Sequence, residues 1–496
     1  MKIHELVDAK YILDKIGDIP TESDFFPTSN KGEKRLRIDK AEEVYFILPD
    51  AMNNRENAYR TSIPESVAVI VTENQNITSE LPIIVVENSR AAYATALSRY
   101  YGIDYGKTSV IGVTGTNGKT TTASLIYGIL KSCEYSVGFI GTGKIEFADS
   151  SFCEENYSMT TPDPELLYSS ISKMQSLGAE YIVMEVSSHA IALKKIEPIC
   201  FALCVFTNLS EEHLDFHRDI ESYFLSKSEL FRKTRRAVIN LDDAWGRRLY
   251  DTLDCEKHSL GIIESAENRI TDIELLGLSG SRYIFRTKDS SFIVKPALIG
   301  EFNIYNTATA ILSALALGIS PRDAKRGVES CGAPSGRMEI INEEITVIID
   351  YAHTPFALKN ALKTIKRAKN ARQKLYCIFG CGGERDSSKR PAMAEAAALY
   401  SDFIIITEDN NRHESFNDIL SDIERGIPEG TKYCVLPKRE EAIFSAIMQA
   451  DAGDIVAIIG KGHERYKIVG DEKIPFDERI IVNCALDARR SLKHEN

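Results

Sequence analysis

The chain has 496 residues, a formal net charge of −12 and 43% hydrophobic residues, enough apolar material for a large core and about three domains. The negative charge repels phosphate backbones and so disfavours a nucleic-acid partner. The ten scattered cysteines indicate free thiols of a reducing compartment, with zinc the weaker alternative. No apolar run resembles a signal peptide or a membrane span, so we expect a cytoplasmic protein without membrane insertion. We also expect a monomer.

The first two α/β units follow in chain order. Residues 1–102 show apolar runs at 44–48, 67–71 and 81–86 and a helical pattern at 89–101, which predict a small N-terminal α/β domain. Residues 103–333 alternate strands (109–113, 137–141, 181–186, 201–206, 237–240) with helices (119–133, 164–177, 220–230), the pattern of a doubly wound parallel sheet. Runs at 270–276, 282–286 and 291–295 predict an antiparallel addition, and helices are expected at 306–317 and 321–330.

The alternation restarts in residues 334–496. Strands at 345–349, 374–379, 403–407, 433–436 and 455–459 and helices at 355–368, 391–400, 416–423 and 439–450 predict a Rossmann-like C-terminal domain. The predicted fold class is therefore α/β with three domains, and two successive large sheets imply a cleft between the second and the third.

A phosphate-binding pattern occupies residues 112–122, which read G-V-T-G-T-N-G-K-T-T-T between a predicted strand and a predicted helix. Backbone N–H groups of such a loop surround phosphates, Lys119 reaches the terminal ones, and the Thr120 hydroxyl holds Mg²⁺. The spacing is shorter than in the standard phosphate loop, so a glycine turn with an incidental lysine is the alternative. The pattern favours a central P-loop domain that binds ATP or GTP.

Polar clusters follow several other predicted strands, where α/β sheets bind their ligands. Glu185 and His213 follow two strands of the central domain and are candidate Mg²⁺ ligands, although helix capping also explains such clusters. From their positions alone, His217 and Lys227 are interpreted as solvated side chains. Polar loops also follow four C-terminal strands, and the candidates there to hold a phosphate or a carboxylate are Arg385, Lys389 and Arg390.

Nine short motifs occur in an order that resembles the Mur ligase family, and most closely its MurE branch. The resemblance extends from about residue 89 to the C-terminus. The motifs are T-G-T-N-G-K-T-T at 114–121, T-T-P at 160–162, E-V-S-S-H at 185–189, G-E-F-N at 300–303, G-R-M-E at 336–339, D-Y-A-H at 350–353, G-C-G-G at 380–383, D-N-N-R at 409–412 and G-K-G-H-E at 460–464.

The resemblance implies an ATP-dependent amide ligase of peptidoglycan synthesis that uses Mg²⁺. The acceptor carboxylate takes the γ-phosphoryl group of ATP, an amine attacks the acyl phosphate, and an amide, ADP and phosphate result. The implied catalytic residues are Lys119, Glu185, His213 and Lys227. The implied metal ligands are Thr120, Glu185, His213 and Lys227, and this lysine is carbamylated in the family. The implied ATP contacts are Gly115, Thr116, Asn117, Gly118, Lys119, Thr120, Thr121, Asn303, Arg337, Asp350 and His353.

The same resemblance implies two substrate sites. The acceptor, a UDP-muramoyl-peptide or a related carboxylate, would contact Thr160, Thr161, Ser187 and Lys195. The amino-acid contacts would be Arg385, Asp409, Asn410, Arg412, Gly460 and Glu464. Their chemistry favours meso-diaminopimelate over lysine, because it offers an arginine pair for carboxylates and an acid for an ammonium. Asn411 replaces the family's proline in this loop, which indicates a looser site or a different amine.

The acceptor side departs from the family. Residues 36–55 keep an apolar strand but lack the family's uridine-binding polar residues, and Leu193 and Lys195 stand where glutamine and arginine are usual. Two functions therefore stay open: joining meso-diaminopimelate to UDP-MurNAc-L-Ala-D-Glu, or the same chemistry in a MurE-like paralogue on another carboxylate acceptor or amino acid. A third hypothesis is a non-catalytic nucleotide-binding scaffold, against which the retained Lys119 and Glu185 argue.

Overall fold

Three sheets, formed by successive stretches of the chain, organise the computed structural model. It describes residues 1–20, 25–29, 42–49, 66–148, 150–152, 159–263 and 266–494. The segment 36–55, on which the missing uridine-binding residues fall, lies outside the described residues except for 42–49.

The first sheet has five strands in the order β1-β5-β4-β3-β2, all parallel except β1, which pairs antiparallel with β5. Three strands and the helix were predicted. Strands β1 and β2 were not predicted; four of the five residues of β1 are exposed and give no apolar pattern. The elements are α1 (Ile3–Leu6), β1 (Ile12–Ile16), β2 (Phe25–Ser29), β3 (Glu42–Phe46), β4 (Val67–Thr72), β5 (Ile83–Val86) and α2 (Ser89–Tyr100).

The central sheet has eleven strands in the order β16-β15-β14-β13-β12-β11-β6-β10-β7-β8-β9. Its first half comprises β6 (Ser109–Thr114), α3 (Lys119–Ser132), β7 (Val137–Gly141), β8 (Lys144–Phe147), β9 (Ser150–Ser151), α4 (Pro164–Ser176), β10 (Tyr181–Glu185), α5 (Ser188–Ala192), β11 (Phe201–Phe206), α6 (Leu214–His217) and α7 (Ile220–Ser228). Strand β6 lies between β10 and β11, parallel to both, so the carboxyl ends of these three strands meet at one edge. Ligands bind at such a topological switch point.

The second half of this domain contains the predicted antiparallel strands, β14 to β16, which are confirmed. Its elements are β12 (Arg236–Asn240), α8 (Ala244–Thr252), β13 (Glu256–Gly261), β14 (Asn268–Leu275), β15 (Ser281–Arg286), β16 (Ser291–Val294), α9 (Glu301–Ala316) and α10 (Pro321–Ser330). Helix α9 begins five residues before its predicted start, because Gly300, with a φ of 98°, lets the chain turn into the helix there.

The third sheet has the order β17-β18-β22-β19-β20-β21 and is parallel except for its edge strand β17. Its elements are β17 (Glu339–Asn342), β18 (Thr346–Asp350), α11 (Pro355–Ala368), β19 (Leu375–Phe379), α12 (Lys389–Tyr400), β20 (Phe403–Ile406), α13 (Phe416–Glu424), β21 (Tyr433–Val435), α14 (Arg439–Gln449) and β22 (Ile455–Ile459), then the hairpin β23 (Tyr466–Val469) and β24 (Glu472–Pro475), and α15 (Glu478–His494). The sequence did not predict the hairpin or α15.

Specific contacts join the three sheets. Tyr93 of α2 donates to the Glu165 carboxylate of α4 at 2.7 Å, which links the first domain to the second. Arg367 of α11 forms an ion pair with Glu301 at the start of α9, at 3.3 Å, which links the third to the second. Because the sheets lie in residues 12–86, 109–294 and 339–459, we propose domain boundaries near residues 102 and 333. In the part of the chain that is described, no helix is long and apolar enough to cross a membrane.

A buried arginine that pairs with two partly exposed carboxylates is part of the third domain's packing. Arg390 is 1% exposed and donates to both oxygens of Glu414, at 2.6 and 2.7 Å, and to Asp422 at 2.9 Å. The prediction that Arg390 holds a ligand is therefore wrong, because its guanidinium already binds two carboxylates inside the domain. The hydrogen bond from Arg390 also lowers the pKa of Glu414 to about 2.

We expect Arg390→Met to lower the free energy of unfolding of the third domain by about 2 kcal/mol, because it leaves Glu414 without its cation and Asp422 with the exposed Arg425 alone. Glu414 contributes stability above its ordinary pKa of 4.5, and this is lost as the pH falls towards 2, so the difference from wild type shrinks over that range. Urea denaturation at several pH values measures both effects. The exposed Arg425, which also pairs with Asp422, provides the control Arg425→Met, and equal effects of the two substitutions would contradict the account.

Candidate active site

The predicted phosphate loop is a turn between β6 and α3 that two glycines make possible. Gly115 has a φ of 147° and Gly118 a φ of 83°. A Cβ at Gly115 would lie 1.9 Å from the Thr207 Oγ1, and one at Gly118 would lie 2.4 Å from the Asn306 Oδ1. Both positions therefore require glycine. The loop runs directly into the N-terminus of α3, a helix of 14 residues that begins at Lys119, which suits an anionic ligand.

Two lysines converge on one peptide carbonyl of this loop. Lys119 Nζ donates to the Gly115 carbonyl at 3.0 Å and to the Thr116 carbonyl at 2.8 Å, and Lys227 Nζ donates to the Gly115 carbonyl at 2.9 Å. Lys227 is 1% exposed, and its Nζ lies 4.6 Å from the centroid of the Tyr223 ring. The interpretation of Lys227 as a solvated side chain is wrong, because α7 presents this residue to the loop.

Both lysines have depressed pKa values. Desolvation lowers the pKa of Lys119, against the raising effects of Glu185 and Glu212. Desolvation and then the charge of Lys119 lower the pKa of Lys227 well below its ordinary value, with Glu212 again opposing. The neighbouring acids thus do not offset the loss of solvent, and an anion bound at the loop would stabilise both ammonium forms. Glu212 was not predicted, although it lies next to His213 in the same polar run.

Glu185 ends β10 as a fully buried carboxylate beside the loop. Its Oε2 accepts from the Thr120 hydroxyl at 2.8 Å and from the Thr142 hydroxyl at 3.2 Å, and its Oε1 accepts from the Thr142 N–H at 2.8 Å. A carboxylate and a hydroxyl are ligands that Mg²⁺ accepts, with water and phosphate completing its shell. Within the described ranges no cluster of three or more His, Cys, Asp or Glu side chains is arranged for a metal, so bound phosphates would have to contribute.

His213 lies on the Lys227 side of the loop. It precedes α6 with a φ of 58°, and its ring centroid is 6.1 Å from that of Tyr223. The Tyr223 hydroxyl is 3.3 Å from the Thr116 hydroxyl of the loop. His217 is buried, with its Nε2 2.9 Å from the Ser188 Oγ, so its interpretation as a solvated side chain is wrong.

Two asparagine contacts that were not predicted hold the loop in place. The Asn117 N–H donates to the Asn208 side chain at 3.0 Å. Asn306 Oδ1 accepts from the Thr122 hydroxyl at 3.3 Å, and its Nδ2 donates to the Asn303 Oδ1 at 2.9 Å. Asn303 is thereby joined to the end of the loop. The contact between Asn303 and Asn306 had a signal in the sequence, because residues three apart on a helix are neighbours. Thr121, in the first turn of α3, is buried as well.

The predicted acceptor residues lie next to Glu185. The Thr161 hydroxyl donates to the Glu185 carbonyl at 2.9 Å and accepts from the Ser187 N–H at 3.0 Å. The Thr160 hydroxyl is 3.1 Å from that of Thr142, which itself contacts Glu185. Lys195 forms an ion pair with Asp163 at 2.7 Å, so its ammonium already has a carboxylate partner.

Arg337 of the third domain lies near enough to the phosphate loop for its charge to contribute to lowering the pKa of Lys119. Its guanidinium lies 4.7 Å from the centroid of the Tyr351 ring, and its Nε is buried with no hydrogen-bond partner in the described part of the chain. Asp350 accepts two backbone N–H groups, at 2.7 and 2.9 Å, which shapes the turn that carries Tyr351. The His353 ring centroid is 4.7 Å from that of Tyr351. Arg337 is thus held by an aromatic face, which leaves its N–H groups for an anion.

Close backbone packing positions Arg337. Gly336 has a φ of 65°, and a Cβ there would lie 2.2 Å from the carbonyl carbon of Gly462. The adjacent His463 ring lies 4.7 Å from that of Tyr351. Desolvation and the cations around it, first Arg337, lower the pKa of His463 to about 3, so this imidazole is neutral.

The predicted amino-acid residues lie at the carboxyl edge of the third sheet. Asn410 Nδ2 donates to the Glu464 Oε2 at 2.9 Å. Arg412, with a φ of 52°, donates through one terminal nitrogen to the Gly383 and Asn410 carbonyls, at 2.8 and 3.2 Å. Arg385 is exposed. The pocket thus offers two guanidinium groups, a carboxamide and a carboxylate on three neighbouring loops.

Two further residues of this pocket are Asp409 and Gly460. Desolvation alone would raise the pKa of Asp409, but Lys461 and Arg439 hold that pKa below its ordinary value. A Cβ at Gly460 would lie 2.9 Å from the Asp409 Oδ2. Asn411, at the position of the family's proline, has its side-chain oxygen buried with no hydrogen-bond partner among the residues described.

Comparison with known proteins decides the family. Two family models match the chain, the Mur ligase middle domain over residues 113–314 and the Mur ligase, glutamate ligase domain over residues 336–462. The UDP-N-acetylmuramoyl-L-alanyl-D-glutamate--2,6-diaminopimelate ligase of Listeria monocytogenes is 36% identical over 503 residues, covering 99% of this chain and 100% of that protein. The chain belongs to the Mur ligase family. The predicted ATP-dependent ligase is thereby confirmed.

Other comparisons agree with this assignment. The protein of the same name from Geobacillus thermodenitrificans is 37% identical to this Mur ligase over 438 residues, covering 86% of this chain and 88% of that one. A solved structure of a ligase of that name has a TM-score of 0.65 at 29% identity, covering 91% of this chain and 93% of that chain. Escherichia coli FolC in complex with ADP has a TM-score of 0.61 at 17% identity, which shows a shared fold; the match covers 80% of this chain and 93% of that chain.

We expect Gly336→Ala to raise the KM for ATP at least about tenfold, because the added Cβ meets the Gly462 backbone at a φ that favours glycine and displaces Arg337. Steady-state kinetics with varied ATP measure this. The matched control is Gly332→Ala, since a Cβ there meets no atom within 4 Å. An unchanged KM for ATP in folded Gly336→Ala would show that Arg337 does not depend on this packing.

Proposed function

We propose that this Mur ligase joins meso-diaminopimelate to UDP-MurNAc-L-Ala-D-Glu and uses ATP to activate the acceptor carboxylate. The observation that carries the proposal is that Asn410, Arg412 and Glu464 lie together at the carboxyl edge of the third sheet, while Arg337 of the same domain lies near enough to Lys119 for their charges to interact. The names of the Listeria and Geobacillus relatives give the same two substrates for those proteins.

The first step transfers the γ-phosphoryl group. An oxygen of the acceptor carboxylate attacks the γ-phosphorus, the bond to the ADP oxygen breaks, and an acyl phosphate forms. Lys119, the N–H groups of the loop and Arg337 would hold the phosphates, because transfer between anions requires fixed positive charge around the moving group. Mg²⁺, held by Thr120 and Glu185, would neutralise phosphate charge when bound.

The second step forms the amide. The amine of diaminopimelate attacks the acyl carbon, the carbon–oxygen bond to phosphate breaks, and phosphate leaves while the nitrogen loses a proton. Glu464 would pair with the distal ammonium of the amino acid, and Arg385 and Arg412 with its carboxylates. An acid beside two arginines matches an amino acid that carries a second ammonium and a second carboxylate. Lysine has a second ammonium but no second carboxylate, so the second arginine would discriminate between the two amino acids.

Lys227 enters this proposal as a carbamate. The lowered pKa of Lys227 favours the neutral amine, the form that reacts with CO₂, and the product would be an anionic oxygen ligand near the Tyr223 ring, which also faces His213. This charge reversal would replace a buried cation next to Lys119 by an anion.

We propose in addition that the enzyme is a cytoplasmic monomer.

A second candidate function keeps the chemistry and changes the acceptor. Lys195 supports it, because this residue stands where the family carries an arginine and already pairs with Asp163. A lysine cannot bind a carboxylate in the bidentate manner of arginine. A MurE-like paralogue that activates another carboxylate would retain the phosphate loop and the amino-acid pocket unchanged.

Phosphate release with ATP, Mg²⁺ and UDP-MurNAc-L-Ala-D-Glu tests the proposal, comparing meso-diaminopimelate, L-lysine and no amine, with mass detection of the product. Turnover that needs both the acceptor and diaminopimelate supports the first candidate. No turnover by protein that still binds ATP points to the paralogue.

We expect Lys227→Ala to abolish turnover, because neither the carbamate nor its buried contact with the loop can form. Added bicarbonate should not restore activity, since alanine has no amine to react with CO₂. Phosphate release at saturating substrates measures the effect, and wild-type-like turnover would remove Lys227 from the mechanism.

We expect Arg412→Ala to raise the KM for diaminopimelate at least about 30-fold and to leave the KM for ATP within about twofold, because charge-assisted contacts to a carboxylate are lost. The control is Arg425→Ala, an exposed arginine of the same domain. An unchanged KM for diaminopimelate would contradict the assignment of this loop.

A further inference from the structure

Lys461 is a buried cation to which the proposed reaction assigns no role. It follows β22 between Gly460, with a φ of 125°, and Gly462, with a φ of 55°. These two conformations turn the chain sharply, and the Lys461 side chain is 0% exposed. A lysine is rarely buried completely without a specific partner.

The partners of Lys461 are two of the residues proposed to bind the amino acid. Its Nζ donates to the Asn410 Oδ1 at 3.0 Å and to the Glu464 Oε2 at 3.0 Å. Asn410 Oδ1 also accepts from the Ile468 N–H at 2.9 Å, and Asn410 Nδ2 donates to the Glu464 Oε2 at 2.9 Å. The carboxamide is therefore fixed in one orientation, since both of its ends have a chemically defined partner.

These contacts occupy one oxygen of Glu464 and leave the other. Glu464 Oε2 accepts from both Lys461 and Asn410, whereas Oε1 has no hydrogen-bond partner in the described part of the structure. Asn410 Nδ2 likewise has a second N–H beyond the one donated to Glu464. One acceptor and one donor are thus left for a ligand.

The charges around Lys461 show why the cation is needed. Three acids, Asp409, Glu464 and Glu478, lie around Lys461. A second buried cation, Arg439, acts on the same acids and donates to the Glu478 Oε1 at 2.7 Å. The rings of Tyr351 and Tyr466 face the same group of charges. Arg439 is held by Glu478 and by the Ile459 carbonyl, at 3.0 Å, so Lys461 is the cation that contacts Glu464.

We propose that Lys461 is a positioning residue for the amino-acid substrate. It locks the Asn410 carboxamide and the Glu464 carboxylate together, so that the free Glu464 oxygen and the free Asn410 N–H hold the substrate's distal amino-acid end. This inference rests on the proposed function, because it assumes that Asn410 and Glu464 bind the amino acid. Lys461 acts through those two side chains and does not itself touch the substrate.

A double-mutant cycle on the full-length enzyme tests the proposal. Lys461→Met keeps the length of the side chain and removes the charge, and we expect it to raise the KM for meso-diaminopimelate about 30-fold with the KM for ATP within about twofold. In the Glu464→Gln background, Lys461→Met should raise the KM for meso-diaminopimelate by no more than about sixfold, which is at least about fivefold less than in the wild-type background. An equal factor in both backgrounds, or an unchanged KM in folded Lys461→Met, would overturn the proposal.

Two controls separate positioning from loss of folding. Lys369→Met removes another lysine of this domain that pairs with a carboxylate, Asp402 at 2.8 Å, away from the pocket, and should leave both KM values unchanged. If Lys461→Met alone is unstable, the double variant with Glu464→Gln removes the cation together with its ion-pair partner and leaves Arg439 as the cation that acts on Asp409. The KM of the double variant should be no more than about sixfold above that of Glu464→Gln alone, and a KM about 30-fold higher would overturn the proposal.

A crystal structure of Lys461→Met reads the positional claim without turnover. We expect the Asn410 carboxamide and the Glu464 carboxylate to separate, and unchanged positions would overturn the proposal. If the wild-type enzyme turns over neither meso-diaminopimelate nor L-lysine, that result counts against the proposed function. Failure of the proposed function is thus distinguishable from failure of the inference about Lys461.

Discussion

The carbonyl of Gly115 is the point on which the site depends. Two lysine amines donate to this one oxygen from different helices, and neither Glu185 nor Glu212 offsets their loss of solvent. Two such cations side by side are costly. A bound phosphate would stabilise the ammonium of Lys119, and the proposed carbamate would replace the charge of Lys227 by an anion.

The second and third sheets place the residues of the candidate site at their carboxyl edges, so that the site draws on both domains. Parallel strands β10, β6 and β11 end at one edge, which brings Glu185, the phosphate loop and Thr207 together. The third sheet does the same with the loops after β18, β22, β19 and β20, and close backbone packing of Gly336 on Gly462 holds Arg337 where its charge acts on Lys119. In the proposed function, one surface of the third domain would therefore serve both the phosphates and the amino acid.

Much of this could be predicted from the sequence, because phosphate loops and strand-end clusters are local patterns. The loop, Glu185 and the alternation of strands and helices were found in this way. Lys227 and Arg390 were misjudged, since a lysine or arginine on a helix has the same sequence pattern whether it faces water or a buried carbonyl or carboxylate. The contacts of Asn306 with Thr122 and of Lys461 with Asn410 were not predicted, because these partners lie 184 and 51 residues away. Contacts at such separations follow from the fold and are not visible in a short motif.

The route through an acyl phosphate is the central claim, and an isotope experiment tests it most directly. UDP-MurNAc-L-Ala-D-Glu labelled with ¹⁸O in its reacting carboxylate would be turned over with ATP and meso-diaminopimelate, and the released phosphate analysed by mass spectrometry. The account predicts one ¹⁸O atom in each phosphate, because the carboxylate oxygen attacks phosphorus and leaves with it. Unlabelled phosphate from an enzyme that forms the labelled amide would contradict the account.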